Sequence, residues 1–209
     1  MTIRVKICGI TDPAALHAAA EAGADWVGFN FYPPSPRYLK TPEAAALAGS
    51  LVGGPARIGL FVDPSDDAVA EVLGAVRLDA LQLYASPARI AAIRARFGVP
   101  VWHAIGVTRA DELPTAMDHC DRLLIEARPP AGATRPGGNA ARLDWPMLAG
   151  WQAPGEWMLG GGLTPGNVTE AIAASGAVAV DVSSGVERAP GVKDPGLIRG
   201  FIAAVRASG

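Results

Sequence analysis

The chain has 209 residues, half of them apolar, with 18 lysines and arginines against 20 aspartates and glutamates. That length suits one domain or at most two, and so apolar a composition sustains a packed core and argues against disorder. The formal charge of −2 at pH 7 leaves no basic footprint for nucleic acid or an anionic membrane surface.

No apolar run reaches transmembrane length, and the opening MTIRVKICGI lacks the apolar core of a signal peptide. Cys8 and Cys120 fall in no metal-binding or disulfide-framework spacing, so a reduced, cytoplasmic protein is expected. The 25 glycines and 18 prolines are spread along the chain, as many short turns require.

Taken in order, eight short apolar runs read as strands: RVKIC (4–8), WVGFNF (26–31), RIGLFV (57–62), ALQLY (80–84), VWHAI (101–105), RLLIE (122–126), WMLGG (157–161) and VAVDV (178–182). Each is nearly continuous in apolar residues, the pattern of parallel strands covered on both faces. Between them stand helix starts in which a capping residue precedes a proline: Asp12-Pro13, Thr41-Pro42, Ser86-Pro87, Thr164-Pro165 and Asp194-Pro195. Leu16, Ala19 and Ala20 have helical spacing within 12–22, and Gly23 suits a left-handed cap at its end; the stretch 90–98 closes on Gly98 in the same way. In the last helix Leu197, Phe201 and Val205 share a face.

Eight strands alternating with about eight helices give roughly 26 residues per unit, which fits a single-domain (β/α)8 barrel over 1–209 near the lower end of its usual size. An open doubly wound sheet also alternates. Near-equal units, and no dinucleotide-type glycine fingerprint after the first strand, favour the closed barrel.

Active sites of such barrels lie at the C-terminal ends of the strands. There the sequence offers Cys8, Asn30, Asp63, Gln82, Glu126, the glycines 160–162, Asp181, Ser183 and Ser184. Glycines let backbone N–H groups approach an anion. Gly161 and Gly162 in LGGGLTPGNV, with Ser183, Ser184 and Gly185 in DVSSGVE, sit after the seventh and eighth strands, where many barrels bind phosphate. Tight βα turns alone would also use these residues. Cys8 reads either as a small buried hydrophobe or as a base whose thiol must ionise. Arg37, on the proline-rich loop YPPSPRYL, reads as a surface side chain or as a bidentate carboxylate anchor. Glu126 closes an apolar strand, as a solvated end or as a catalytic acid. His17, His103 and His119 are scattered, no metal site is indicated, and Cys120 reads as structural.

KICGIT, GADWVGFNFYPPSPRYL, GLFVDP, LDALQL, GGGLTPGNV and VDVSSGVERAPGVKD, in this order from residue 6 to about 194, together resemble phosphoribosylanthranilate isomerase of tryptophan biosynthesis. The resemblance implies an Amadori rearrangement of N-(5-phosphoribosyl)anthranilate to the 1-deoxyribulose phosphate, without cofactor or metal. It assigns Cys8 as general base at the sugar C2, Glu126 as general acid at the ring oxygen, and Arg37 to the anthranilate carboxylate. Gly161, Gly162, Ser183, Ser184 and Gly185 fall to the phosphate, and Asp181 stands beside the substrate. A small phosphorylated substrate, no nucleic-acid or membrane partner, and a monomer or homodimer are the matching expectations.

The chain departs from the family pattern at three places. Glu126 stands where aspartate is usual, Tyr84-Ala85 where the family reads His-Gly, and Asn139-Ala140 where it often reads Thr-Gly. Two other readings remain open at this point. One is the histidine-pathway sugar-phosphate isomerase, whose first-strand base is aspartate; the other is a barrel that binds the phosphate ligand without turnover.

Overall fold

The computed structural model describes residues 2–133 and 136–209. Eight strands form a closed parallel barrel in chain order: β1 Arg4–Cys8, β2 Trp26–Asn30, β3 Ala56–Val62, β4 Ala80–Tyr84, β5 Val101–Val107, β6 Arg122–Ala127, β7 Trp157–Leu159 and β8 Ala179–Val182. Closure is made by β8 on β1, with Lys6 opposite Asp181. These are the eight runs read from the sequence, with shifted ends. β5 continues to Val107, whereas β7 stops at Leu159, ahead of Gly161, whose φ of 83° is incompatible with a strand.

The helices are α1 Pro13–Glu21, α2 Thr41–Gly49, α3 Asp66–Ala75, α4 Pro87–Phe97, α5 Val168–Ser175 and α6 Pro195–Arg206. About eight were expected, and among the described residues six are α-helical. Among the described residues, the connections after β5 and β6 carry only 3-10 turns, at Ala110–Glu112 and Trp145–Leu148. Pro114 interrupts the first, and Pro129, Pro130 and Pro136 with several glycines deprive the second of helix-forming residues. Asp12 caps α1 by accepting from the Ala15 N–H at 2.9 Å, and Gly98 closes α4 in the left-handed conformation. Thr164-Pro165 opens no helix. Asn167 accepts from the Thr164 N–H at 2.8 Å and donates to the Gly162 carbonyl at 3.0 Å, so the segment is a tied turn and α5 starts after it. In α6 the buried stripe is Ile198, Phe201, Ile202 and Val205, while Leu197 is exposed.

Strand parity decides what faces the barrel interior, because successive side chains alternate. Val5, Ile7, Val27, Phe29, Leu81, Leu83, Leu123, Ile125 and Val180 point outward and pack in the main hydrophobic layer. The opposite set fills the barrel: Trp26, Ile58, Ala80, Trp102, Ala104, Leu124, Met158 and Ala179 form a second buried cluster. At its N-terminal end, Arg122 stacks over Trp26 and Trp102 at 4.5 and 4.8 Å from the ring centroids and pairs with Glu156. The same parity continued upward places Cys8, Asn30, Tyr84 and Glu126 at the C-terminal mouth. The charge that ends RLLIE therefore belongs to the interior face, two residues above buried Leu124.

On β5, His103 is buried and its Nδ1 lies 2.8 Å from His119 Nε2. Burial, reinforced by His119, lowers its pKa to about 4. The unfolded chain takes up this proton near pH 6.5, the folded chain only near 4, so stability is complete above 6.5 and declines as pH falls through that window. Thermal unfolding followed downward from neutral pH should show this loss, and His103→Gln should flatten it; an unchanged slope in the variant would assign it to other groups.

Candidate active site

The mouth of the barrel opens into a cavity. Cys8, Arg37, Glu126, Gly161, Gly162, Asp181, Ser183 and Ser184 line it, together with Gln82, Tyr84 and the loop 136–141. Gly185 sits behind this lining: a Cβ there would overlap the Leu163 carbonyl, so glycine lets the turn after β8 pass against the one after β7. Asp63, at φ 40°, also stands outside the lining.

Cys8 is 5% exposed and faces Gly28 across the β1–β2 pair. A Cβ on Gly28 would come within 2.8 Å of the Cys8 Sγ and 3.3 Å of the Lys6 Nζ, so the absence of a side chain makes room for both groups. Lys6 is fully buried and donates to Asp181 Oδ1 at 2.9 Å. Burial opposes its charge, but Asp181 and Cys8 outweigh burial and raise its pKa, so it remains a cation. Burial pushes the Cys8 thiol up; Lys6 pulls it back, and the Asp181 charge adds to the push. A buried lysine inside VKICG was a legible signal, since charge seldom enters an interior strand without a partner.

Glu126 is 5% exposed and accepts a hydrogen bond from the Tyr84 hydroxyl, 2.6 Å from Oε1. Burial raises its pKa to about 8, with the Asp181 charge adding to the rise while the Tyr84 bond and Lys6 oppose it. At neutral pH it is a carboxylic acid with a proton to give. Burial, together with Glu126, holds the Tyr84 phenol well above its ordinary value, so it stays a donor. Two of the sequence departures thus touch each other.

Arg37 is buried. Its Nε and Nη2 donate to Glu187 Oε1 and Oε2 at 2.7 and 2.9 Å, and its Nη1 lies against Gly138, where a Cβ would come within 2.6 Å. The stem packs on Gly9, at φ 75°, where a Cβ would meet Cδ at 2.6 Å. Asn30 shapes the loop that delivers it: its Oδ1 accepts from the Tyr32 N–H, its Nδ2 donates to Ser35 Oγ, and that oxygen accepts from the Arg37 N–H. Glu187 also accepts from Lys193 at 2.7 Å, and Lys193 donates to the Ser183 carbonyl and hydroxyl at 2.8 and 3.2 Å. Burial opposes the Glu187 charge, but Arg37 and Lys193 outweigh it and lower the pKa. Burial lowers the Lys193 amine to about 8 against the pull of Glu187. A buried chain of charges therefore runs from the Arg37 loop to the turn after β8.

Among the described residues, no three His, Cys, Asp or Glu side chains converge as a metal site, and no helix is long and apolar enough to cross a membrane. Gln82 is 1% exposed, lines the cavity, and neither end of its amide has a hydrogen-bond partner among the described residues. Lys6, Gln82, Tyr84, Glu187 and Lys193 are the site residues that motif reading left unassigned.

The profile of the family described as N-(5'phosphoribosyl)anthranilate (PRA) isomerase matches residues 5–204. An N-(5'-phosphoribosyl)anthranilate isomerase of Acidiphilium cryptum is 53% identical over 205 residues, 98% of this chain and 99% of that one. The crystal structure of the phosphoribosyl anthranilate isomerase from Thermotoga maritima superposes with a TM-score of 0.83 at 32% identity, covering 98% of this chain and 99% of that one. A phosphoribosyl anthranilate isomerase in complex with reduced 1-(o-carboxyphenylamino)-1-deoxyribulose 5-phosphate superposes at 0.80 and 31% identity, with the same coverage. Full-length identity above half, a closed eight-stranded barrel and a buried thiol and carboxylic acid in one cavity lead to one conclusion: the chain belongs to the N-(5'-phosphoribosyl)anthranilate isomerase family, the isomerases of tryptophan biosynthesis.

Proposed function

We propose that residues 1–209 act as one barrel unit in which Glu126 is the general acid and Cys8 the general base of the isomerisation. Glu126 donates its proton to the furanose ring oxygen as the C1–O bond breaks and nitrogen supplies the electron pair for the C1=N bond. The Cys8 thiolate then removes the C2 proton, and the C2–H electrons form the C1=C2 bond of the enolamine as the C1=N pair returns to nitrogen. Ketonisation adds a proton to C1 and releases the one on O2, which restores the acid and the base. Arg37, aligned by Glu187, holds the anthranilate carboxylate. Gly161, Gly162, Ser183 and Ser184 receive the phosphate, with the Lys193 cation behind Ser183 and the turn through Gly185 supporting them. Gln82 offers its amide to a sugar hydroxyl, and Asp181 holds Lys6 beside the thiol.

The observation that carries this assignment is the carboxyl of Glu126, buried in the same cavity as Cys8, where burial raises its pKa to about 8. It also speaks against a barrel that binds without turnover, because the proton donor is present. The working form pairs a thiolate with a carboxylic acid, although the thiol holds its proton more tightly than the carboxyl. It is therefore a minority arrangement of one shared proton. Its population follows the ionisation of Cys8 until Glu126 itself ionises. Above about pH 6.5, where the substrate phosphate is a dianion, kcat/KM should rise with pH and level off near 8. A flat profile across neutral pH would show that the ionisations assigned here do not control the rate.

A further inference from the structure

The Tyr84 hydroxyl sits 2.6 Å from Glu126 Oε1. Glu126 is buried at the top of β6 and Tyr84 partly buried at the top of β4, on the interior face on either side of β5, and the loop after β6 closes on them. A Cβ on Gly137 would overlap the Tyr84 hydroxyl and come within 2.8 Å of Glu126 Oε1. Backbone without a side chain therefore covers the pair directly. The next glycine, Gly138, lies against the Arg37 guanidinium, so the same two-residue step touches both ends of the cavity.

We propose that Tyr84 is the positioning residue of the general acid: by occupying Oε1 it fixes the carboxyl plane and leaves Oε2 to carry the proton delivered to the ring oxygen. This rests on the assignment of Glu126 as the acid. A glutamate has one more rotatable bond than an aspartate and needs such a restraint, because an acid displaced by about 1 Å loses on the order of a hundredfold in rate. A glutamate is also long enough to meet the phenol, and an aspartate in its place would withdraw the carboxyl from Tyr84 and break the bond. Hydrogen bonding to the ionised form favours ionisation, so Tyr84 both aims the acid and moderates its hold on the proton.

The test is a double-mutant cycle between Tyr84→Phe and Glu126→Gln, with kcat and KM measured from about pH 6.5 to 10. Phenylalanine keeps the ring and its packing and removes only the donor. Tyr84→Phe should lower kcat about tenfold, as expected for a lost hydrogen bond to a partly charged group, with KM little changed. The pH at which kcat/KM levels off should move upward, because Glu126 loses the bond that favours its anion. In the Glu126→Gln background, Tyr84→Phe should add no further loss. Wild-type kcat and an unmoved profile in Tyr84→Phe, with Glu126→Gln impaired, would overturn the role of Tyr84 while leaving the acid in place. Multiplicative losses in the double mutant would overturn it too, since the two residues would then act independently. Near-normal turnover by Glu126→Gln would instead remove the acid assignment itself.

Discussion

Cys8→Ser should lower kcat by about a thousandfold, within the range of a lost general base, while leaving affinity for the reduced product analogue nearly unchanged. The two side chains are close in size, so the cavity keeps its shape and the loss reports chemistry. A thiol ionises near pH 8.5 in water, whereas an alcohol does so only in far stronger base. Here burial already pushes the thiol up, and serine starts from a worse position in the same site. What keeps cysteine usable is its surroundings. The Lys6 cation is held beside it by Asp181, and Gly28 leaves the space in which the two meet. A C2-deuterated substrate sharpens the measurement: the wild type should release the label to solvent in step with turnover, and the variant should retain it. A Cys8→Ser protein with near-normal kcat, or one that exchanges the C2 proton as fast as the wild type, would move the base to another group.

The barrel was legible because its strands are short, apolar on both faces and separated by capped helices, all of which are local properties of the chain. That the described residues hold six α-helices and not eight follows from proline content that strand counting passes over: Pro114, and the prolines 129, 130 and 136. The site was legible where residue type and strand end coincide, as at Cys8, Glu126 and Asp181. It was illegible where a partner comes from far along the chain. Glu187 clamps Arg37 across 150 residues, and Tyr84 meets Glu126 across 42. No local pattern encodes such pairs, yet parity carries part of the information. Once Leu124 is assigned to the interior, Glu126 must join it, and on β4 Ala80 places Gln82 and Tyr84 on the same inner face. A lysine two residues before Cys8 carries the same message, because a cation on an interior face demands a buried anion. Register supplies that anion by placing Asp181 opposite Lys6.

Glu126→Gln should reduce kcat by two to four orders of magnitude, roughly the contribution of a positioned acid, and the same substitution should stabilise the fold at alkaline pH. Both effects have one cause. Burial raises the carboxyl to about 8, well above its value in an unfolded chain. The folded state therefore binds this proton where the unfolded state has already released it. The resulting contribution to stability is complete below the unfolded value, near 4.5, and is lost as pH rises through 8. Glutamine is neutral at every pH and can still accept the Tyr84 hydrogen bond through its carbonyl, so it escapes that loss. Melting temperatures of wild type and variant should be close below about pH 4.5, diverge as pH rises from there to about 8, and keep a constant offset above 8, with the variant higher. Activity should fall at every pH, because an amide has no proton to deliver to the ring oxygen. If the variant were inactive yet gained nothing at high pH, the carboxyl would be ionised in the resting protein and would act as an anion. If it gained stability and kept its turnover, the raised pKa would be a feature of packing, and the acid would have to be sought among the other groups lining the cavity. Loss of turnover together with the alkaline gain is the joint outcome expected of a buried carboxylic acid that serves as the proton donor.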